Sequence, residues 1–463
     1  MILRNLYIRI PVAFVLLAAA SACSGSQNAE TPTATALTAT KTGEAPTATV
    51  VPSVQPTAAA PPSAVPTPTS MPSATATPTV VPTLAVVPIP DRYRMVVSEL
   101  NAALRKFEQT IPAGSPKIGD IGAVSTSLIM ANSNSGPAIL RPAVLDFVKT
   151  YLDQIATMGS SAVEVQISYP VGSKDFPNQN AYLAFYRQVM DAAHQRGFKV
   201  LIETSCIFAN SPFTDVQFDF SKLTPAVYFQ ARTDEIVTIA RELRPDYLAL
   251  GEEPVNERVF AGINYTPDQY VAFVNSAAAA VRKELGANAS RVKVGVGAGT
   301  WEADLFGRFI RETDLDFYDV HIYPLQGNPG GLETAREMAR LAQGKGKPAI
   351  IGETWLYKMA QSEIGATSGA TASEAFRRDA FTFWEPLETR YIRDVLALGA
   401  EFKMPFVSFW GARFFFGQVD WTPQLDGLDF KGISSTVNPI ITQNLAQGRR
   451  TALGDAFARL MGH

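Results

Sequence analysis

From about residue 89 to the C-terminus, short apolar runs alternate with longer stretches whose apolar positions recur at helical spacing. The runs that read as strands are "IGAVSTSLIMA" (121–131), "AVEVQISY" (162–169), "KVLIETS" (199–205) and "YLALGEE" (247–253), followed by "VKVGVGA" (292–298), "FYDVHIY" (317–323), "AIIGET" (349–354) and "FVSFWGA" (406–412). Between them lie helical patterns such as "AVLDFVKTYLDQIATMG", "YLAFYRQVMDAAHQRG" and "YVAFVNSAAAAVRKELG". Two of these three end at a glycine close behind a basic residue, as helix C-termini often do. Eight strands with intervening helices predict an α/β fold, a single (β/α)8 TIM barrel over 89–463. A doubly wound open sheet is the alternative that the same alternation allows. No internal repeat is visible.

The first ninety residues follow other rules. Arg4 and Arg9 flank a short positive region, and "IPVAFVLLAAASA" is an apolar segment too short to span a bilayer. It ends in "AASAC" at Cys23, which resembles the lipobox of bacterial lipoproteins. That resemblance implies a signal peptide over 1–22, cleavage before Cys23 and lipidation of its thiol. An ordinary signal peptide cleaved nearby is the plainer reading. From Cys23 to residue 88 the chain is almost wholly Thr, Pro, Ala, Ser and Val. Such a segment cannot bury a core, and it predicts a disordered, polyproline-like stalk. At roughly 3.1 Å per residue it would reach at most about 200 Å. The expected setting is export and lipid anchoring on the outer face of a bacterial membrane, where a large carbohydrate is the natural partner.

Composition narrows the chemistry. The 463 residues are 46% hydrophobic and 18% charged with a formal net charge of -3, which gives ample core and no basic surface for nucleic acid. Three histidines and two cysteines leave little for a metal centre, so neither metal nor cofactor is expected. With Cys23 lipidated, Cys206 has no partner for an intramolecular disulfide. A monomer is expected.

In such a barrel the chemistry sits at the C-terminal strand ends, and several are loaded. The second strand ends in Tyr169 and the third carries Glu203. The fourth ends in Glu252 and Glu253 before Pro254, which pushes Glu253 off helical angles. The fifth runs into Trp301, and the sixth alternates Asp319, His321 and Tyr323 on one face. The seventh ends in Glu353 followed by Trp355, and the eighth carries Trp410. Strand parity puts Glu253 with Ala249 and Tyr247, and Glu353 with Ile351 and Ala349, as the last inward residues of strands that face each other. An acidic turn leading into a helix is the bland reading of any one such end. Two opposed carboxylates among aromatics suit glycoside hydrolysis, which needs an acid and an ionised group across the scissile bond.

These motifs resemble the clan A retaining glycoside hydrolases, which carry an acid/base glutamate after strand four, typically as Asn-Glu-Pro, and a nucleophile after strand seven. "GEEP" is similar to the first motif and "IIGETW" to the second, which implies Glu253 as acid/base and Glu353 as nucleophile. "VHIYP" resembles the clan's His-x-Tyr segment, and Trp410 its strand-eight tryptophan. The resemblance implies substrate-binding places for His321, Tyr323 and Trp410. Trp301, Trp355 and Tyr169 are candidate sugar platforms, and Glu203 is a candidate site residue or a structural ion-pair member. Glu252 departs from the clan's asparagine. Its charge beside Glu253 is expected to raise that acid's pKa, or to receive a cationic or amino sugar. The rival readings are a non-catalytic glycan-binding lipoprotein on the same scaffold and a different barrel enzyme. The second lacks a Walker motif, a complete G-x-G-x-x-G or a G-x-S-x-G.

Overall fold

The computed structural model describes residues 88–463 apart from 112–116, 210, 212, 215 and 365–368. The leader, Cys23 and the stalk therefore lie outside the described residues. The strands β1 (Val124–Ser127), β2 (Ala162–Tyr169), β3 (Lys199–Cys206), β4 (Tyr247–Ala249), β5 (Lys293–Gly299), β6 (Phe317–Ile322), β7 (Ala349–Thr354) and β8 (Val407–Phe409) close into one parallel barrel in sequence order. The expected barrel is thus observed, and the open sheet is ruled out by the β1–β8 pairing.

Helices α1 (Arg94–Glu108), α2 (Pro142–Ala156), α3 (Gln179–Gln195), α4 (Pro225–Leu243), α5 (Pro254–Ala261), α6 (Pro267–Leu285), α7 (Ala303–Glu312) and α8 (Gly331–Gly344) come before β7. After it come α9 (Gln361–Ile364), α10 (Gly369–Arg378), α11 (Glu385–Glu401), α12 (Pro423–Asp426), α13 (Phe430–Gln447) and α14 (Ala452–Leu460). Their starts follow from local chemistry. Pro occupies the first turn of α2, α4, α5 and α6, where its missing N–H costs nothing. Thr224 and Thr266 cap α4 and α6 through their side chains.

Alternation sorts each strand into two faces. Outward residues such as Val163, Val165, Ile202, Leu248 and Val296 pack under the helices in the main core. Inward residues Ala162, Leu201, Ala249, Phe317 and Ile350, with Ala123, Phe406 and Tyr247, make a small separate cluster that plugs the lower barrel. Above that plug the inward positions turn polar, which is where a site can be built.

Candidate active site

The polar layer begins on β2, whose inward positions carry Glu164 and Gln166 between the outward Val163, Val165 and Ile167. Ser127 donates to Glu164, Asn132 donates to Gln166, and the Gln166 amide in turn donates to Glu252. Sequence reading missed Glu164, Gln166 and Asn132. The signal was present: a polar residue at every second place of a wholly buried strand has only the lumen to face.

β4 stops at Ala249, short of the expected run to 253. Leu250 joins the outer core, and Gly251 presses against the Tyr270 hydroxyl, so the chain leaves the sheet there. Glu253 is the residue before α5, in extended-side backbone (φ -138°), and its carboxylate makes no cap bond. It reaches His321 instead: His321 Nδ1 lies 3.0 Å from Glu253 Oε1, and Asn256 Nδ2 donates to Glu253 Oε2 at 2.6 Å.

β6 presents Asp319, His321 and Tyr323 on one face, as parity predicts. His321 Nε2 lies 3.3 Å from Glu203 Oε1 and 3.4 Å from Asp319 Oδ2. Each ring nitrogen thus meets a carboxyl oxygen, an arrangement that favours the charged imidazolium. Burial opposes that charge, but Glu203 and Asp319 hold the His321 pKa well above its ordinary value. Tyr323 donates its hydroxyl to Glu353 Oε1 in a short hydrogen bond.

The parity expected for β7 is corrected. Ile350, not Ile351, lies in the lumenal plug, while Ile351 packs outward. A bulge between the pairs Asp319–Ile350 and His321–Glu353 inserts one extra residue and turns Glu353 back inward. Gly352 sits in that bulge, where its N–H donates to Asp319 Oδ1 at 2.6 Å and any Cβ would overlap the Glu203 and Asp319 carboxylates.

The two glutamates meet. One carboxylate oxygen each of Glu253 and Glu353 and one nitrogen of His321 lie within 4.8 Å of one another. Glu253 and Glu353 are 1% and 2% exposed. Burial raises the pKa of both; on Glu253 the His321 hydrogen bond opposes the rise. Burial also pushes Glu252 up to about 7 and Glu164 up to about 8.

The aromatics divide. Trp301 stands 6.3 Å from the Tyr323 ring, Tyr323 6.3 Å from Tyr357, Tyr357 6.2 Å from Phe376, and Phe376 5.0 Å from Trp410. This arc joins the ends of β5, β6, β7 and β8. Trp355 is buried against Phe415 and lies 5.5 Å from Lys358 Nζ, which pairs with Asp379 and Glu388. These contacts place it beside the Lys358 ion pairs rather than in the arc. Tyr169 faces outward by strand parity and packs on Phe218, Phe220 and Tyr228. It borders a separate 530 Å³ cavity with Phe176 and Glu235, so it is not brought into the lumen. Trp384 is core.

Two carboxylate trios, Glu203–Asp319–His321 and Glu253–His321–Glu353, have the spacing of metal ligands. Both use a ring nitrogen of His321 that already meets a carboxyl oxygen, so a metal would have to displace that contact.

No family model matches the sequence, and no curated protein matches it either. Similar solved structures include the exo-β-1,4-mannosidase Op5Man5 of an Opitutaceae bacterium, at 14% identity and a TM-score of 0.47 over 73% of this chain and 59% of that one. The chain thus spans about three fifths of that mannosidase's length. A family 5 glycoside hydrolase of Bifidobacterium longum in complex with a Man-GlcNAc disaccharide aligns at 15% identity and 0.47, over 73% and 78%. A family 113 β-1,4-mannanase aligns at 13% and 0.41, over 70% and 98%.

Proposed function

We propose that this protein is a retaining β-glycosidase acting on an extracellular poly- or oligosaccharide, held at the cell surface by a lipid on Cys23. The observation that carries the reading is the approach of Glu253 and Glu353 to within 4.8 Å, oxygen to oxygen. Retaining enzymes hold their two carboxyls about 5–5.5 Å apart, whereas inverting enzymes keep about 6.5–9.5 Å to admit a water.

The residues around each glutamate support a division of roles. Glu353 receives the Tyr323 hydroxyl, which orients it and stabilises its ionised form for attack on the anomeric carbon. Glu253 sits on the doubly protonated His321, a ready source of the proton that an acid must deliver to the leaving oxygen. Two carboxylates this close share one proton, which is the state that a double displacement starts from. Glu253 then takes a proton from the water that releases the sugar from Glu353. Trp301, Tyr357 and Trp410 supply apolar faces for sugar rings along the arc.

Hydrolysis of aryl β-glycosides and β-glycans by the full-length protein, run beside Glu353→Gln and Glu253→Ala, tests the reading. Glu353→Gln is expected to abolish turnover, and azide to restore the Glu253→Ala variant through a glycosyl azide. Glycan binding without turnover on a broad panel would instead leave a stalked glycan-binding protein.

A further inference from the structure

The lumen that holds the two glutamates is unbalanced in charge. Glu164, Glu203, Glu252, Glu253, Asp319 and Glu353 are all at most 2% exposed, and among the described residues the imidazole of His321 meets three of them, Glu203, Glu253 and Asp319. The buried guanidinium of Arg232 is held by Glu257 and the Leu250 carbonyl beneath the β4 end. Lys358 is likewise occupied by Asp379 and Glu388.

Glu164, Glu203 and Glu252 each keep a buried oxygen with no hydrogen-bond partner, and of these Glu252 is the chain neighbour of Glu253. One Glu252 oxygen accepts from Gln166; the other, Oε2, is buried with no hydrogen-bond partner. Because Gln166 is an inward residue of β2, that free oxygen stays within the lumen, one residue from Glu253. A buried carboxylate oxygen without a donor is costly, and a ligand that brings a donor and a positive charge offsets both deficits.

On the reading that Glu253 and Glu353 cleave a glycosidic bond, we infer that the sugar bound against them carries a free ammonium group, paired with Glu252: an amino-sugar unit of a cationic glycan. A metal ion is the poorer occupant. Glu252 belongs to neither ligand trio found among the described residues, and His321 has both nitrogens engaged. An ammonium supplies three N–H donors and needs no vacant nitrogen from the protein.

The test is calorimetric binding to the full-length protein carrying Glu353→Gln, with oligomers of glucosamine, of N-acetylglucosamine and of neutral hexoses. The glucosamine oligomer is expected to bind about tenfold or more tightly than its acetylated counterpart, as a desolvated charge pair provides. Adding Glu252→Gln removes that preference, and Glu252→Asn turns it toward the neutral oligomers, each with an unchanged melting temperature. Equal affinity for all three glycans, binding of none, or a preference that survives Glu252→Gln overturns the inference. So does stoichiometric binding of calcium or magnesium that Glu252→Gln abolishes. Turnover of neutral glycans alone by the unmodified protein sinks the amino-sugar assignment and keeps the glycosidase. Binding of glucosamine oligomers with no turnover of any glycan sinks the glycosidase.

Discussion

At the scale of single residues, the account rests on who donates to whom. Tyr323 donates to Glu353 Oε1, and a hydrogen bond to a charged group contributes about 1.5–3 kcal/mol. Tyr323→Phe is therefore expected to lower kcat about tenfold to a hundredfold with the fold intact. The sign of the pH effect follows. Removing a donor to the ionised form raises the Glu353 pKa, so the acidic limb of kcat/KM moves to higher pH. A profile taken on both forms checks this, and an unmoved limb would remove Glu353 from the role of ionised nucleophile. The pairing of Glu253 with His321 was beyond sequence reading. "GEEP" and "VHIYP" were each recognisable, but the contact at 3.0 Å depends on Glu253 leaving the strand.

At the scale of elements, two helices support the β4 end through one buried ion pair. Arg232 of α4 meets Glu257 of α5, both fully buried, while Tyr228 and Tyr270 donate to the same carboxylate at 2.6 and 3.0 Å. Arg232→Met leaves Glu257 unpaired and is expected to cost about 3–5 kcal/mol in urea unfolding. Arg232→Met with Glu257→Gln together should recover much of that loss. Glu235 of α4 gives a pH test outside the site. It is buried, accepts from Gly172 N–H at 2.5 Å, and burial pushes its pKa up to about 8. A raised carboxyl gives stability that is full below its unfolded pKa and is lost as pH climbs through the folded one. Glu235→Gln should thus melt with the parent near pH 5, and above it near pH 9, by differential scanning calorimetry; equal melting at both ends would contradict a neutral Glu235. Elements were largely legible: β2 and β7 begin and end where the apolar runs do. The bulge in β7 was not. Period-two parity is a rule for regular strands, and Gly352 alone does not announce the extra residue that turns Glu353 inward. Tyr169 failed for the opposite reason: its strand is regular, and parity counted from Glu164 sends it outward.

At the scale of the whole molecule, the barrel gathers groups from strands distant in sequence, which is why patterning predicted the architecture but not the lumenal network. Asn132 and Glu252, 120 apart in the chain, share Gln166 only because the strands gather around one lumen. The leader is the other feature at this scale. If Cys23 carries a lipid, Cys23→Ser moves the protein from the membrane fraction to the soluble fraction and abolishes labelling by a fatty acid; retention in membranes would contradict the anchor. The central claim is that Glu353 and Glu253 work by double displacement. The most direct measurement is proton NMR of the first-formed product from a β-glycoside that the protein cleaves. The account predicts the β-anomer first, with the α-anomer appearing only by later mutarotation. The α-anomer as first product would contradict it.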